Sequence, residues 1–349
     1  KIIICGNNLD LETLELLKIT SETLDIPIIT ENYLSNDSSC MVFSKSNSTF
    51  DDILESDLCL TVGTNVRFEA ALLNVRLRKR TRRGNFVKAS IGLTENLNYQ
   101  NESLGNSVET LLSIVEGKHS FCKKLSKAKK PIIILGSSIK KRLDSTTIEN
   151  LIKKLSKHCK IIDQNWLGIN FLPTTSNSVG ESFLGLSQNQ KIDLSNIDLA
   201  YFVGLDFPEK FMTKFNESTV KIIQTPYANS VLKEADLILP STAFTEKEGT
   251  FLNLEGRVQK TTTALVGPNL ARDDKNIIKA TWAILERTSA ISFECEKIAE
   301  KREFVTDFTE NKNSFTKFLI INNKISKGKL IKTPFNNVIS NFFRTNALT

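Results

Sequence analysis

Four glycines follow short apolar segments, where a protein backbone can bind a phosphate. Gly6, Gly63, Gly136 and Gly204 each follow a run of apolar residues. In a parallel sheet such a position leads into a helix N-terminus, whose backbone N–H groups and dipole favour an anion. None of the four lies in a Gly-x-Gly-x-x-Gly or Gly-x-x-x-x-Gly-Lys-Ser/Thr pattern. The spacing therefore favours ordinary strand-to-helix turns over a nucleotide site.

The turn after Gly63 is the most suggestive of these positions. It continues with Thr64 and Asn65 and then reaches a charged helix start that contains Arg67 and Glu69. Either Thr64 or Asn65 is a suitable N-cap, and Arg67 or Glu69 is suited to a local ion pair. We expect these structural roles rather than a ligand site.

Two carboxylates, Glu246 and Glu248, lie close together near a glycine turn. General acid–base catalysis would also need a partner group and an enclosing pocket. A solvated, salt-bridged turn explains the pair more simply. The chain contains no Gly-x-Ser-x-Gly pattern, no cysteine with a plausible histidine partner and no metal triad. We therefore predict no catalytic, cofactor-binding or metal-binding residues.

Cysteine and histidine provide no metal centre. The six cysteines are Cys5, Cys40, Cys59, Cys122, Cys159 and Cys295. Their wide spacing gives no Cys-x-x-Cys element for zinc or for an iron–sulfur cluster. Cys5 and Cys59 lie in apolar, strand-like segments, which favours reduced, buried thiols over a disulfide framework. The two histidines, His119 and His158, lie in lysine-rich helical contexts and are too few for a histidine-based site.

Composition is that of an ordinary globular protein. A chain of 349 residues can form two domains, and 40% hydrophobic with 24% charged residues excludes collagen, coiled coil and wholesale disorder. No apolar stretch approaches the roughly 18 to 20 residues of a membrane-spanning helix. We expect any membrane association to come through partners. Because the first residue is Lys1 rather than methionine, we also expect a processed or trimmed chain.

The net charge of +7 includes one dense basic run, from Arg76 to Arg83. A basic helix end usually forms a solvated face or contacts an acidic neighbour. We therefore predict that this run faces the acidic surface of another subunit. Nucleic-acid binding is the alternative, and it would be steeply salt-dependent.

Short apolar strands alternate with helical patterns over the first 240 residues, which predicts an α/β protein with mostly parallel sheets covered on both faces. The predicted strands lie near 2–5, 27–29, 58–62, 86–91, 131–135, 160–163, 199–203, 220–224 and 235–239. Because the pattern restarts near residue 119, we predict two tandem doubly wound sheets. The predicted units are 1–118 and 119–290, the latter with an extended turn region at 241–270. An irregular tail, 291–349, is expected to pack on partners.

The extended turn region carries its own predictions. Gly249 and Gly256 are expected to adopt backbone angles that residues with a Cβ disfavour. Phe251 and Leu254 are expected to anchor the loop on the second sheet.

Several segments resemble the molybdopterin oxidoreductase superfamily. One branch of this superfamily is matched in particular: the large iron–sulfur subunits of the peripheral arm of respiratory complex I. The resemblance to this branch lies in residues 57–70 and in Asn74, Arg76, Arg78 and Lys79, which follow them. The segments that carry the resemblance are 57–70, 128–138, 235–259, 267–274 and 341–346.

The resemblance implies a non-catalytic scaffold that supports electron transfer from NADH to ubiquinone within a proton-translocating complex. It implies a location at the matrix side of the mitochondrial inner membrane, with membrane contact only through the complex. The cluster-bearing N-terminal half of the family has no counterpart here, so no cluster ligand can be assigned to this chain. We expect iron–sulfur clusters on a partner N-terminal half, other peripheral-arm subunits as partners, and no nucleic acid.

One departure from the family concerns residues 224–229, which lack the His-Gly-Asp stretch common in the family. The alternative interpretation is a catalytic fragment of a molybdopterin-dependent oxidoreductase. Such a fragment would need a pterin pocket and a molybdenum ligand.

Overall fold

The computed structural model describes two compact units. The residues described are 1–6, 8–31, 45–94, 96–163, 165–173, 175–186, 192–205, 212–227, 230–289, 291–292 and 330–335. Of these, the first unit contains residues up to 31, 175–253 and 257–292, and the second contains 45–173, 254–256 and 330–335.

Strands and helices alternate along most of the chain. The strands are β1 (Ile2–Cys5), β2 (Ile28–Thr30), β3 (Leu58–Val62), β4 (Val87–Ile91), β5 (Glu102–Gly105), β6 (Pro131–Leu135), β7 (Ile162–Asp163), β8 (Trp166–Leu167), β9 (Ile169–Phe171), β10 (Leu199–Val203), β11 (Val220–Thr225), β12 (Leu237–Pro240), β13 (Gly249–Leu252) and β14 (Val258–Thr261). The helices are α1 (Leu11–Leu24), α2 (Phe50–Glu55), α3 (Val66–Glu69), α4 (Ala71–Arg82), α5 (Val108–Val115), α6 (Cys122–Lys127), α7 (Ser145–His158), α8 (Ser178–Phe183) and α9 (Asp274–Thr288).

The first unit is built on a five-stranded parallel sheet in the order β12-β11-β10-β1-β2. Every residue of β1 is buried, as expected for a strand covered on both faces. Ile3 and Cys5 pack with side chains of α1, α8 and α9, whereas Ile2 and Ile4 pack with Phe202 on the opposite face. The predicted parallel α/β class is confirmed.

The second unit has a five-stranded parallel sheet in the order β5-β4-β3-β6-β9. Side chains of α5, α6 and α7 form the core on one face, and side chains of α2 and α4 form the core on the other. Pro131 occupies the first position of β6, where a missing N–H costs no ladder bond. Its carbonyl accepts a hydrogen bond from Trp166 Nε1 at 2.8 Å.

Strand pairing does not follow the predicted division into units 1–118 and 119–290. β1 pairs with β10, with Ile2 opposite Ala200, and β1 also pairs with β2. β3 and β4 pair with each other, and β3 pairs with β6 across residue 118. The first two strands therefore complete a sheet whose other strands lie almost 200 residues later. Alternation of strands and helices indicates that parallel strands exist, but it does not indicate which strands are neighbours.

Smaller differences concern short strands. The predicted strand at 160–163 is the two-residue β7, which forms an antiparallel pair with β8 outside the main sheet. β5 and β9 are absent from the predicted strands. β5 is polar and partly exposed, and β9 has only three residues, so neither gives a strong apolar signal.

The extended turn region is a hairpin of β13 and β14. Gly256 has φ of 81°, so its prediction is confirmed, but Gly249 does not have a positive φ. A Cβ on Gly249 would lie 2.5 Å from Asp10 Cβ, so glycine is needed there for close packing. Leu252 is fully buried in the first unit, whereas the predicted anchor Phe251 is only partly buried. Leu254, the other predicted anchor, packs in the second unit.

Most of the predicted tail lies outside the described residues. Its residues 291–292 and 330–335 are described: Ile291 packs on the first unit, and 330–335 lie in the second unit, where Phe335 enters the core. Among the described helices, none has both the length and the hydropathy of a membrane span.

Candidate functional site

Doubly wound sheets bind ligands where the strand order reverses, at the carboxyl ends of the two central strands. In the first unit this point lies between β1 and β10 and is formed by Gly6 and Gly204. The Gly6 N–H donates to Val203 O at 2.8 Å. A Cβ on Gly6 would lie 1.8 Å from Gly204 O, and a Cβ on Gly204 would lie 2.5 Å from Leu9 Cδ2. The two turns and Leu9 therefore pack closely together, and glycine is needed at both positions.

A buried ion pair lies in the same unit, at the start of α9. Lys247, from the loop after β12, contacts Asp274, and their side chains are 9% and 1% exposed. Gln224, near the end of β11, donates from Nε2 to Asp274 Oδ1 at 2.7 Å, and the Tyr201 hydroxyl donates to Gln224 Oε1. Both carboxylate oxygens of Asp274 thus have donors, which is the condition for tolerating a buried charge.

Electrostatics around Lys247 keep its ammonium charged. Burial alone would lower the pKa of Lys247, but the negative charges of Asp274, Asp10 and Asp273 outweigh burial and raise it. The ion pair joins the loop after β12 to the first turn of α9.

Asp10 is the other buried carboxyl group of this region. It is the N-cap of α1, and it accepts hydrogen bonds from Thr13 N at 2.9 Å and Thr13 Oγ1 at 2.8 Å. Burial raises the pKa of Asp10 to about 6, against the opposing charges of Lys275 and Lys247 and the hydrogen bonds from Thr13. A carboxyl group of this kind can act as an acid or base, but here it is fully buried and caps a helix.

The neighbouring Glu12 is used in the same structural way. Its carboxylate accepts hydrogen bonds from Thr250 N at 2.9 Å and Thr250 Oγ1 at 2.6 Å. Burial would raise the pKa of Glu12, but these hydrogen bonds outweigh burial, and the pKa is lowered. Asn177 adds a further contact by accepting from Leu252 N at 3.2 Å and donating to Leu9 O at 2.9 Å.

Glu246 and Glu248 lie in the loop after β12 but perform no joint chemistry. Glu246 accepts a hydrogen bond from Ala243 N at 2.9 Å, which closes a turn. The side chain of Glu248 is exposed, and its backbone carbonyl accepts from Lys275 Nζ. Sequence reasoning missed the buried ion pair of Lys247, which lies between these two glutamates in sequence. Lys247 gives no signal of its own, because most lysines are exposed.

In the second unit the strand order reverses between β3 and β6, at Gly63 and Gly136. A Cβ on Gly136 would lie 2.1 Å from Gly63 O. Asn65 Oδ1 accepts from Arg67 N at 3.1 Å, so the predicted N-cap of α3 is confirmed. The Arg67 guanidinium donates to the backbone carbonyl of Asn96.

Glu69, at the end of α3, reaches across to the turn after β6. Its Oε2 accepts from Ser137 N and Ser137 Oγ, each at 3.3 Å. Burial raises the pKa of Glu69 against the hydrogen bonds from Ser137. The ion pair predicted for Arg67 or Glu69 is not among the described contacts, because both side chains bond to neighbouring loops instead.

The described residues contain no cluster of three or more His, Cys, Asp or Glu side chains placed to hold a metal. Cys5, Cys59, Cys122 and Cys159 are free thiols. Burial raises the pKa of Cys59 to about 12, against the positive charge of Lys88, so this thiol is unreactive. Cys40 and Cys295 lie outside the described part of the chain.

Comparisons with known proteins agree with one another. A family model described as "Molybdopterin oxidoreductase" matches residues 3–282. The chain is 40% identical over 314 residues to the NADH-ubiquinone oxidoreductase 75 kDa subunit of Reclinomonas americana, a match that covers 87% of this chain and 44% of that protein. It is 33% identical over 312 residues to the mitochondrial NADH-ubiquinone oxidoreductase 78 kDa subunit of Candida albicans, covering 87% of this chain and 43% of that protein.

The chain therefore spans somewhat less than half the length of these two relatives. Among solved structures, the formyltransferase/hydrolase complex (FhcABCD) from Methylorubrum extorquens matches with a TM-score of 0.60 and 11% identity, covering 83% of this chain and 93% of that chain. This likeness shows the fold alone. Because the family model covers most of the sequence, the chain belongs to the molybdopterin oxidoreductase family.

Proposed function

We propose that this chain is the structural C-terminal half of the large iron–sulfur subunit of the peripheral arm of respiratory complex I. In this role it supports electron transfer from NADH to ubiquinone and contributes no catalytic residue. The support comes from relatives named as the 75 kDa and 78 kDa subunits of NADH-ubiquinone oxidoreductase, which this chain matches over somewhat less than half their length.

The observation that carries the structural role is the use of polar groups in the family-like loop. Lys247 is buried against Asp274, Thr250 is bonded to Glu12, and Glu246 closes a turn within its own loop. A catalytic loop would present some of these groups to a substrate. Here Lys247 and Thr250 connect this segment to α9 and α1, and Glu246 is used within its own loop.

Close packing at the two crevices that the described residues form supports a chain that holds no molybdopterin group. In the first, Gly6 lies against the backbone of Gly204, and Gly204 lies against Leu9. The second is occupied by Phe335, which is 1% exposed and lies on Gly63 and Gly92. We therefore propose no reaction at a pterin in this chain, and we propose that the iron–sulfur clusters lie on a partner that holds the N-terminal half.

A partner surface is proposed at the basic end of α4. Arg80 is used internally, since its guanidinium donates to the carbonyls of Ser56, Gly84 and Asn85 at 2.6, 2.7 and 3.2 Å. The remaining exposed cations are Arg78, Lys79, Arg82 and Arg83. An acidic surface of the cluster-bearing half, or of another peripheral-arm subunit, fits these cations best. Assembly would hold the chain at the matrix side of the mitochondrial inner membrane.

Recovery of partners tests the proposal. The tagged chain should be recovered from detergent-solubilised mitochondrial membranes, and the co-purifying chains should be identified by mass spectrometry. We expect a cluster-bearing chain of the same subunit together with other peripheral-arm subunits. Recovery of the chain alone, or with an unrelated oxidoreductase, would contradict the proposal.

A further inference from the structure

The crevice of the second unit is lined by glycines where its strands end. Gly63 follows β3, Gly92 follows β4 and Gly136 follows β6. Gly63 and Gly92 have φ of 60° and 121°, which favours glycine at both positions. Without side chains at these positions, the ends of three adjacent strands leave a recess.

An aromatic ring from the C-terminal part of the chain fills this recess. Phe335 belongs to the same core as β3, β4 and β6. A Cβ on Gly63 would lie 3.0 Å from Phe335 Cδ1, and a Cβ on Gly92 would lie 3.4 Å from Phe335 Cβ. The ring therefore lies directly on backbone that glycine exposes.

The backbone before Phe335 is recognised by one arginine. The Arg142 guanidinium donates to the carbonyl oxygens of Ile331, Thr333 and Pro334 at 2.9, 3.0 and 3.3 Å. It also lies over the Phe335 ring, with its central carbon 5.1 Å from the ring centroid. A single side chain thus contacts most of the segment.

Other groups orient Arg142 and complete the recognition. Asp144 holds the guanidinium in a bidentate pair at 2.7 and 3.0 Å, and its Oδ2 accepts from Ile331 N at 2.9 Å. The Phe335 N–H donates to Asn106 O at 3.0 Å. The partners of segment 330–335 are therefore both backbone and side-chain groups, as in a peptide-binding site.

Lys332 provides an internal contrast. It pairs with Glu109 at 3.0 Å, but the two side chains are 86% and 58% exposed. Such a pair contributes little. Binding of the segment therefore depends on Arg142, Asp144 and the ring of Phe335.

We propose that the glycine-lined recess of the second unit is a peptide-binding site for an extended segment that carries an aromatic residue. In this chain residues 330–335 occupy it in cis. The bound segment takes the position where doubly wound sheets bind small molecules. The site is independent of the role proposed for the chain in complex I.

Hydrogen exchange on the full-length chain tests the first part of this proposal. We expect Arg142→Gln to speed exchange of the backbone amides of both Ile331 and Phe335 by about tenfold or more, because the segment leaves as one unit. Phe335 N–H is not bonded to Arg142, so its response reports cooperative release. The control Lys332→Ala should leave both rates unchanged. Unchanged exchange in Arg142→Gln would overturn the proposal.

Binding of a peptide in trans tests the second part. A fluorescent peptide with the sequence of residues 329–336 should bind the full-length Phe335→Ala chain at least about tenfold more tightly than the parent chain, whose site is filled. The same peptide with alanine for phenylalanine should not bind. If Phe335→Ala does not fold, the comparison is made with Phe335→Leu, which keeps an apolar side chain in the core but loses the ring and leaves Arg142 in place. No binding to a folded variant, or equal binding of both peptides, would overturn the proposal.

Discussion

Lys247 and Asp274 form a buried ion pair that fixes the loop after β12 to the first turn of α9. The pair is 27 residues apart in sequence, and Gln224 completes its hydrogen bonding from β11. This contact explains how a loop that resembles enzymes of the family can have a structural role.

Removal of one partner should be costly. Lys247→Met leaves the Asp274 carboxylate buried without its cation, so we expect a loss of about 3 to 5 kcal/mol in the free energy of unfolding. Lys124→Met is the matched control, because Lys124 pairs with Glu102 at 2.7 Å and both side chains are exposed. It should cost about 1 kcal/mol or less. Equal losses by urea denaturation would contradict the importance of the buried pair.

Asp10 should make stability depend on pH in an unusual direction. Its pKa is raised in the folded protein to about 6, from about 3.9 in an unfolded chain. Between these values the folded state holds a proton that the unfolded state has lost. The contribution of Asp10 to the free energy of unfolding is therefore fully present below about pH 4, and it is lost as the pH rises through about 6.

Asp10→Asn isolates this contribution, since asparagine is also a good N-cap. The parent chain should lose stability relative to Asp10→Asn as pH rises from 4 to 6, by up to about 3 kcal/mol for two pKa units. The check is urea denaturation of both chains across this range. A difference that stays constant with pH would contradict the raised pKa.

The left-handed turn residue of the hairpin gives a conformational test. Gly256→Val should destabilise the protein by about 1 to 3 kcal/mol, because valine is strained at φ of 81°. Gly256→Asn should cost less, since asparagine tolerates this conformation. Equal losses in thermal or urea unfolding would show that packing rather than backbone strain controls this position.

The fold class could be predicted because its signals are local. Runs such as Ile2–Cys5 and Pro131–Leu135 are continuous and apolar, and both are interior strands of their sheets. The pairing of β1 with β10 could not be predicted, because it depends on contacts across about 200 residues. The ion pair of Lys247 and the position of Phe335 could not be predicted either, because both depend on long-range contacts. Most lysines are exposed, and a single phenylalanine in a sequence does not indicate which core it enters.

We expect the basic residues at the end of α4 to have two different roles, one in assembly and one in stability. Charge reversal of Arg78, Lys79 and Arg82, which are exposed, should reduce assembly into the complex and leave stability nearly unchanged. Arg80→Ala should instead destabilise the fold, because Arg80 binds three backbone carbonyls. Native gel electrophoresis and urea denaturation separate the two effects. Normal assembly of the triple variant would contradict a partner contact and would show that these three residues form a solvated surface.

The glutamates of the loop should not matter for turnover. Glu246→Gln and Glu248→Gln should assemble and sustain normal electron transfer from NADH to quinone, since Glu246 only closes a turn and Glu248 is exposed. Lost turnover in a normally assembled variant would require a working site at this loop.

The central claim is that this chain is a structural half-subunit whose metal centres lie on its partner. The most direct measurement is the iron and molybdenum content of the complex purified through this chain, repeated after the chain has been separated from its partners. We predict iron in the complex, no molybdenum, and no iron that stays with the separated chain. Stoichiometric molybdenum, or iron that remains on this chain, would contradict the account.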